Sequence, residues 1–213
     1  MATRLGLVNA VLVELGSRRV VDTGESNEAV EDILAIYDQT VEECLAAGSW
    51  NFAMETVKAE ADTGVTPEFG FTEVFAKPSD WVRTMGVSLD ERFDVPLLQY
   101  YDDATYWSAD STPIYVRYVS DDTGMGLGLT RWPAAFTRYV ELELAFRACM
   151  IVTQNAGFKE QIEKGRDKAK KIALNHDAMN EAQPKFLPPN SWTLARAGRI
   201  GGRDRGSRGS LTG

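Results

Sequence analysis

The sequence predicts an α+β fold: an antiparallel-oriented helical bundle built from N- and C-terminal helices, a small inserted antiparallel β-domain, and an extended C-terminal tail. Three observations carry this. Apolar residues recur at spacings of three and four in the first and the last parts of the body, the period of a helix that buries one face. Between them lie short runs rich in Val, Phe and Thr, separated by Gly, Pro and Asp, which read as strands and turns. From Gln183 onward, QPKFLPPNSWTLARAGRIGGRDRGSRGSLTG holds neither period long enough to build a core. The expected parts are 1–52 (first part of the bundle), 53–131 (inserted β-domain), 132–182 (second part of the bundle) and 183–213 (extended basic tail).

Leu5, Val8, Leu12 and Leu15 make one stripe of a first helix that Gly16 ends. Ser26 or Asn27 can cap a second helix, whose Ile33, Ile36, Tyr37, Val41, Cys44 and Leu45 share a face, with Gly48 as its C-terminal stop. Residues 54–60, 71–76 and 81–89 are strand-like; Trp81, Met85, Val87 and Leu89 alternate with Val82, Thr84, Gly86 and Ser88. In residues 113–119, Ile114, Val116 and Tyr118 share one face. Turn clusters at Asp102-Asp103 and from Ser108 to Thr112 lie between, so a small sheet of about four to six strands is expected. Pro133 suits the first helical position of a largely apolar third helix over 134–155. Residues 158–181 form a charged amphipathic helix in which Glu160–Lys164 and Asp167–Lys171 are stabilising i,i+4 pairs.

Composition bounds the function. Forty-four per cent hydrophobic and 25% charged residues are ordinary globular values, so the body has a core to bury. A formal net charge of −8 argues against the body as a surface for nucleic-acid phosphates. No run approaches the roughly 18–20 consecutive apolar residues that span a bilayer, so no membrane partner is expected. The opening MATRLGLVNAVLVELG is broken by Asn9 and Glu14 and lacks a small-residue cleavage site, which reads as a cytosolic amphipathic helix. Cys44 and Cys149 sit in apolar helical patterns as free buried thiols of a reducing compartment.

A search for chemistry returns no catalytic constellation. The single histidine, His176, lies beside Asn175 and Asp177 with no nucleophile motif nearby, and two distant cysteines offer no metal-ligand spacing. The loop from Asp121 to Gly128 lacks the spacing of a phosphate cradle and reads as a flexible connector. Asp102-Asp103 and Asp121-Asp122 read as solvated turn acids rather than a hard-cation site. No catalytic residue, cofactor or metal is expected.

The tail is different. Residues 183–213 hold six basic side chains and one acid, a formal +5 that leaves −13 for the preceding 182 residues of a chain at −8. Such a segment cannot bury enough apolar surface to offset its own ordering entropy. It could contact single-stranded nucleic acid through its Arg and Gly, stay a plain disordered terminus, or fold onto a protein partner. The third fits best, because apolar anchors (Phe186, Leu187, Trp192, Leu194) precede a run of charges (Arg196, Arg199, Arg203, Arg205, Arg208) along one extended segment.

Gly48-Ser49-Trp50-Asn51-Phe52-Ala53 after the second helix, Lys77-Pro78-Ser79-Asp80-Trp81-Val82-Arg83 opening the central strand, and Trp132-Pro133 with Phe136 opening the third helix form an ordered set. Read alone, they are structural: Trp50 and Phe52 pack the bundle against the sheet, Pro78 and Asp80 set a turn, and Arg83 pairs with an acid. In their order and position they resemble the tail tubular protein A family, the head-to-tail adaptor proteins of tailed bacteriophages, over roughly residues 5–180. The resemblance implies a homo-oligomeric ring, commonly a dodecamer, at the head–tail junction of a virion and assembled in the host cytoplasm. It would sit between a portal protein and a downstream tail or nozzle protein, with genomic DNA passing through without sequence-specific binding. The tail residues named above would then bind the portal. The alternative is a nucleic-acid-binding protein that uses its Arg/Gly-rich tail.

Overall fold

Thr3 sits in extended backbone and its Oγ1 accepts the Gly6 N–H at 3.1 Å, so the chain turns helical at the next residue. The computed structural model describes residues 3–24, 27–67 and 70–180. Helix α1 (Arg4–Glu14) buries Leu7, Val8, Val11 and Leu12, and Gly16 leaves it with φ +71°, a backbone that favours glycine. Asn27 caps α2 (Glu28–Ala46) by accepting the Ala29 N–H at 3.1 Å; Ser26, the other cap considered, lies outside the described residues. A 3-10 turn (Asn51–Ala53) then leads into β1 (Met54–Ala59), β2 (Glu73–Ala76), β3 (Trp81–Ser88), β4 (Tyr101–Asp102), β5 (Tyr106–Ala109) and β6 (Ile114–Ser120). A second 3-10 turn (Leu129–Arg131) precedes α3 (Ala134–Thr153) and α4 (Ala156–Asn180). The fold is α+β, and Met1–Asn180 make one unit.

The strands form two sheets, not one. Their orders are β1-β6-β3 and β2-β5-β4, with every pairing antiparallel. The first sheet is the middle layer. On one side Val119, with Val82 and Met85, joins a core made by the helices; on the other Ile114, Val116 and Val87 pack with Phe75, Trp107 and Ala109 of the second sheet. A sheet with apolar residues on both faces needs cover on both, which explains the split. The segment from Ser108, read above as turn, is partly strand because Trp107 and Ala109 face this second core.

β3 departs from simple alternation. Register shifts between Trp81 and Arg83 and between Thr84 and Gly86 turn its side chains, so Trp81 and Val87 serve the inter-sheet core while Met85 joins Val82 on the helical side. Leu89, expected on the same face as Val87, is exposed. Among the described residues Arg83 forms no ion pair with an acid. Its Nη1 donates to the Ala46 carbonyl at 3.3 Å, where the negative end of the α2 dipole favours a cation.

Four local expectations are corrected. Gly48 does not stop α2 through its backbone freedom; Ala47 is the C-cap, and a Cβ on Gly48 would lie 2.8 Å from the Trp50 ring and 2.9 Å from Leu174. The loop from Asp121 to Gly128 is a hydrogen-bonded structure rather than a flexible connector: the Met125 and Leu127 N–H groups donate to the Asp122 carbonyl at 2.9 and 3.1 Å, and Trp132 Nε1 donates to the Gly126 carbonyl at 2.7 Å. On α4, Glu160–Lys164 forms at 2.8 Å, but Asp167 turns to Arg166 at 2.8 Å instead of to Lys171. Pro133 is the N-cap of α3 and not its first residue. No helix among the described residues is long and apolar enough to cross a membrane.

The two crowded glycines rank by what their missing Cβ would meet. At Gly126 that atom would fall 2.0 Å from the Ser120 carbonyl oxygen, which is backbone and cannot give way; at Gly48 it meets side chains. Overpacking of this kind costs about 1–3 kcal/mol. Urea denaturation is expected to show Gly126→Ala losing the most stability, Gly48→Ala losing about 1–3 kcal/mol, and Gly24→Ala, which meets nothing within 4 Å, staying near wild type.

Candidate functional surfaces

The residues nominated for partner binding (Phe186, Leu187, Trp192, Leu194, Arg196, Arg199, Arg203, Arg205 and Arg208) lie outside the described residues. His176 is exposed on α4, whereas Cys44 and Cys149 are buried. Burial pushes the Cys44 thiol up to about 12, so at neutral pH it stays protonated and is a poor nucleophile. Cys149 is buried and its sulfur lies 3.3 Å from Thr153 Oγ1. Among the described residues no three His, Cys, Asp or Glu side chains are grouped to hold a metal ion.

Two of the three segments singled out in the sequence, those of Trp50 and Trp132, meet at one joint between helices and sheet. Trp50, 1% exposed, donates its Nε1 to the Cys44 carbonyl at 2.9 Å and sets its ring 4.7 Å from Phe136. Phe52 and Trp132 approach the same ring at 4.7 and 4.9 Å. Asp177, on the last turns of α4, accepts the Asn51 N–H on its carboxylate at 3.0 Å, and its carbonyl accepts from Asn51 Nδ2 at 2.9 Å. These two bonds tie the end of the last helix to the turn that leads into the first strand. Sequence reading took Asp177 only as a polar neighbour of His176; nothing local marks it as a buried acceptor.

Pro78 and Asp80 do set a turn, with the Trp81 N–H donating to the Pro78 carbonyl at 3.2 Å. Asp80 also centres a group of acids. Its carboxylate accepts from Ser120 Oγ and from the Tyr118 hydroxyl at 3.3 Å, and its carbonyl accepts the Asp121 N–H at 2.9 Å. Burial, then the charges of Asp80 and Glu55, push the Tyr118 phenol well above its ordinary range. The Asp121 carboxyl is raised by burial and by its neighbours Asp80 and Asp122. Among the described residues no Lys or Arg forms an ion pair with Asp80, Asp121 or Asp122.

The other acidic turn is neutralised. Asp102, itself exposed, pairs with Lys77, whose side chain is only 4% exposed and whose Nζ lies 3.3 Å over the Trp81 ring. Trp81 and Trp107 both donate their Nε1 to Thr84 Oγ1, at 3.0 and 2.8 Å, which fixes the rings beneath the ammonium.

Two helices carry unlike charge. α2 has six acidic residues and no Lys or Arg, a local excess that the charge of the whole chain conceals. On α4, Lys164, Lys168 and Lys171 are exposed. A groove of about 320 Å³ beside α2, α3 and α4 is closed by ion pairs: Arg147 joins Glu43 to Glu143, and Arg166 reaches Glu143 at 3.7 Å and Asp167 at 2.8 Å. No protein-family model matches this chain, and no curated protein matches its sequence.

The raised Asp121 pKa fixes a sign. A carboxyl whose folded-state pKa exceeds its unfolded value costs stability above the folded pKa, and that cost fades as pH falls and vanishes below the unfolded value. Asp121→Asn is therefore expected to raise the melting temperature at pH 7 and to leave it unchanged at about pH 3, below the ordinary carboxylate range. Paired thermal melts at the two pH values check this.

Proposed function

We propose that this chain is a structural head-to-tail connector of a tailed bacteriophage, an adaptor that forms a ring beneath the portal and is docked there by its C-terminal tail. The observation that carries the reading is the separation of charge and apolar content along the chain. Residues 3–180 supply two hydrophobic cores of their own, while the sequence of 183–213 carries apolar anchors and a +5 charge. The resemblance of the Trp50, Asp80 and Trp132 segments supports the same assignment.

The activity asks for no bond to be made or broken. A ring about a rotational axis needs two different, complementary patches on each subunit. Tails in a ring add their weak individual contacts by avidity, which offsets the roughly 2–5 kcal/mol or more that ordering such a segment costs. The portal is the partner on one side, a downstream tail or nozzle protein the partner on the other. DNA in transit benefits from walls that repel phosphate, and the unpaired acids around Asp80 are the kind of surface that would do so. The second reading, nucleic-acid binding through the Arg-rich tail, draws on that same +5 charge.

The experiment is to mix the purified protein with portal-bearing, tail-less capsids of the same phage and image them by electron microscopy, using the full chain and residues 1–182 side by side. A ring of density at the portal vertex is expected with the full chain and not with the truncated one. Docking by the truncated chain would remove the tail as the clamp. Absence of any ring, together with DNA binding that falls steeply with salt as counterion release requires, would favour the nucleic-acid reading. Lysine at Asp121 and Asp122 is expected to slow DNA ejection from assembled particles, read by the time course of DNA release.

A further inference from the structure

We infer that copies of this chain associate by seating the acidic outer face of α2 against the lysine-bearing outer face of α4 on a second copy. The contact deepens the ring reading above and rests on it for closure of successive contacts into a ring.

The acids of α2 are Glu28, Glu31, Asp32, Asp38, Glu42 and Glu43. They lie opposite the buried line of Val30, Ile33, Tyr37, Val41 and Cys44. Two have cations in their own chain: Asp38 meets Arg4 at 3.6 Å, and Glu43 meets Arg147. Glu28, Glu31, Asp32 and Glu42 have no ion-pair partner among the described residues. Helix stability does not account for the set. Glu28 and Glu31 suit the positive N-terminal end of the dipole, but Glu42 and Glu43 stand near the negative end, where acids are unfavourable. Glu28 and Asp32, and Asp38 and Glu42, are like charges four apart and oppose helix formation. The face therefore costs the isolated chain stability that an external cation surface would return.

α4 offers that surface. Lys164, Lys168 and Lys171 are exposed; Lys164 shares Glu160 at 2.8 Å, while Lys168 and Lys171 have no carboxylate partner among the described residues. Ile172, 51% exposed, and Met179, 85% exposed, lie along the same side and give apolar contact beside the charges. On α2 the exposed Ala35 leaves room for them in the middle of the acids. Both helices pack on α3 by their other sides, so both faces are presented without rearrangement. Each copy carries one acidic and one basic face, which is the requirement for contact between unlike patches.

The test is a charge exchange in the full-length chain, followed by sedimentation velocity at low salt. One variant is Lys164→Glu/Lys168→Glu/Lys171→Glu; the other is Glu28→Lys/Glu31→Lys/Glu42→Lys. Each alone is expected to weaken self-association at least tenfold, and an equimolar mixture to recover it to near the wild-type level, because each variant then meets its complement. Far-UV circular dichroism confirms that both fold. Wild-type association is expected to weaken with added salt, as the screening length drops from about 10 Å at 0.1 M to about 3 Å at 1 M. The inference is overturned if the α4 variant associates like wild type, or if the mixture of two folded variants does not recover. Loss in the α2 variant alone would overturn it too, assigning the acidic face to another occupant such as the basic tail. Capsid imaging keeps the two proposals apart. A portal ring that the α4 variant still forms sinks this contact and leaves the connector standing, whereas no ring from wild type sinks the connector itself.

Discussion

Phe136 stands where the fold is joined. It lies in the first turn of α3, and rings from the chain before β1 (Trp50 at 4.7 Å, Phe52 at 4.7 Å) and from the loop before its own helix (Trp132 at 4.9 Å) converge on it. Aromatic contacts of this kind add about 0.5–1.5 kcal/mol each beyond area burial, so the cluster is a large fraction of a typical domain's net stability. Its placement matters more than its size. The chain enters the sheets just after Phe52 and leaves them just before Trp132, so one cluster clamps both crossings. The Asn51–Asp177 pair adds α4 to the same joint, fixing the last helix against the turn that leads into the first strand.

With both crossings pinned, the middle sheet has little freedom, and its composition follows. It must satisfy the helices on one face and the second sheet on the other, so β6 becomes buried on both sides toward its end, from Tyr118 to Ser120. β3 meets the same demand by bulging: it delivers Val82 and Met85 to the helices, then Val87 to the other core. The cost is an irregular edge, which residues 95–97 cover by pairing back onto Val87 and Leu89.

How much of this the sequence discloses depends on how far apart the partners lie. α1 and α2 are legible because an apolar stripe is a local pattern, and the buried residues observed largely coincide with it. Ile114 and Val116 announce β6 in the same way. The division into two sheets is not legible, since it turns on Phe75 and Trp107 meeting across 31 intervening residues. Arg83 offers a charge and no hint that its acceptor is a helix carbonyl 37 positions earlier. Gly48 and Gly126 look like breakers, yet their role is room for Trp50 and for the Ser120 carbonyl. The tail stands out by composition alone. The acidic face of α2 was available to a count made helix by helix, and the charge of the whole body hid it.

Charge is where this chain departs from what folding alone would select. Several ion pairs are economical: Arg147 and Arg166 are each shared among acids, and Lys77 is held by a carboxylate and two indoles. The surface around Asp80, Asp121 and Asp122 is not, for burial and repulsion both raise the Asp121 pKa and no Lys or Arg among the described residues pairs with these acids. The outer face of α2 repeats the pattern with Glu28, Glu31, Asp32 and Glu42. The exposed lysines Lys164, Lys168 and Lys171 stand on α4 instead, and the sequence carries five arginines beyond residue 195. Uncompensated charge of one sign on one element, with the opposite sign set apart on another, stabilises nothing within a single copy. It becomes favourable when a second surface supplies the missing sign, and that is the electrostatic logic of a protein made to be one part of an assembly.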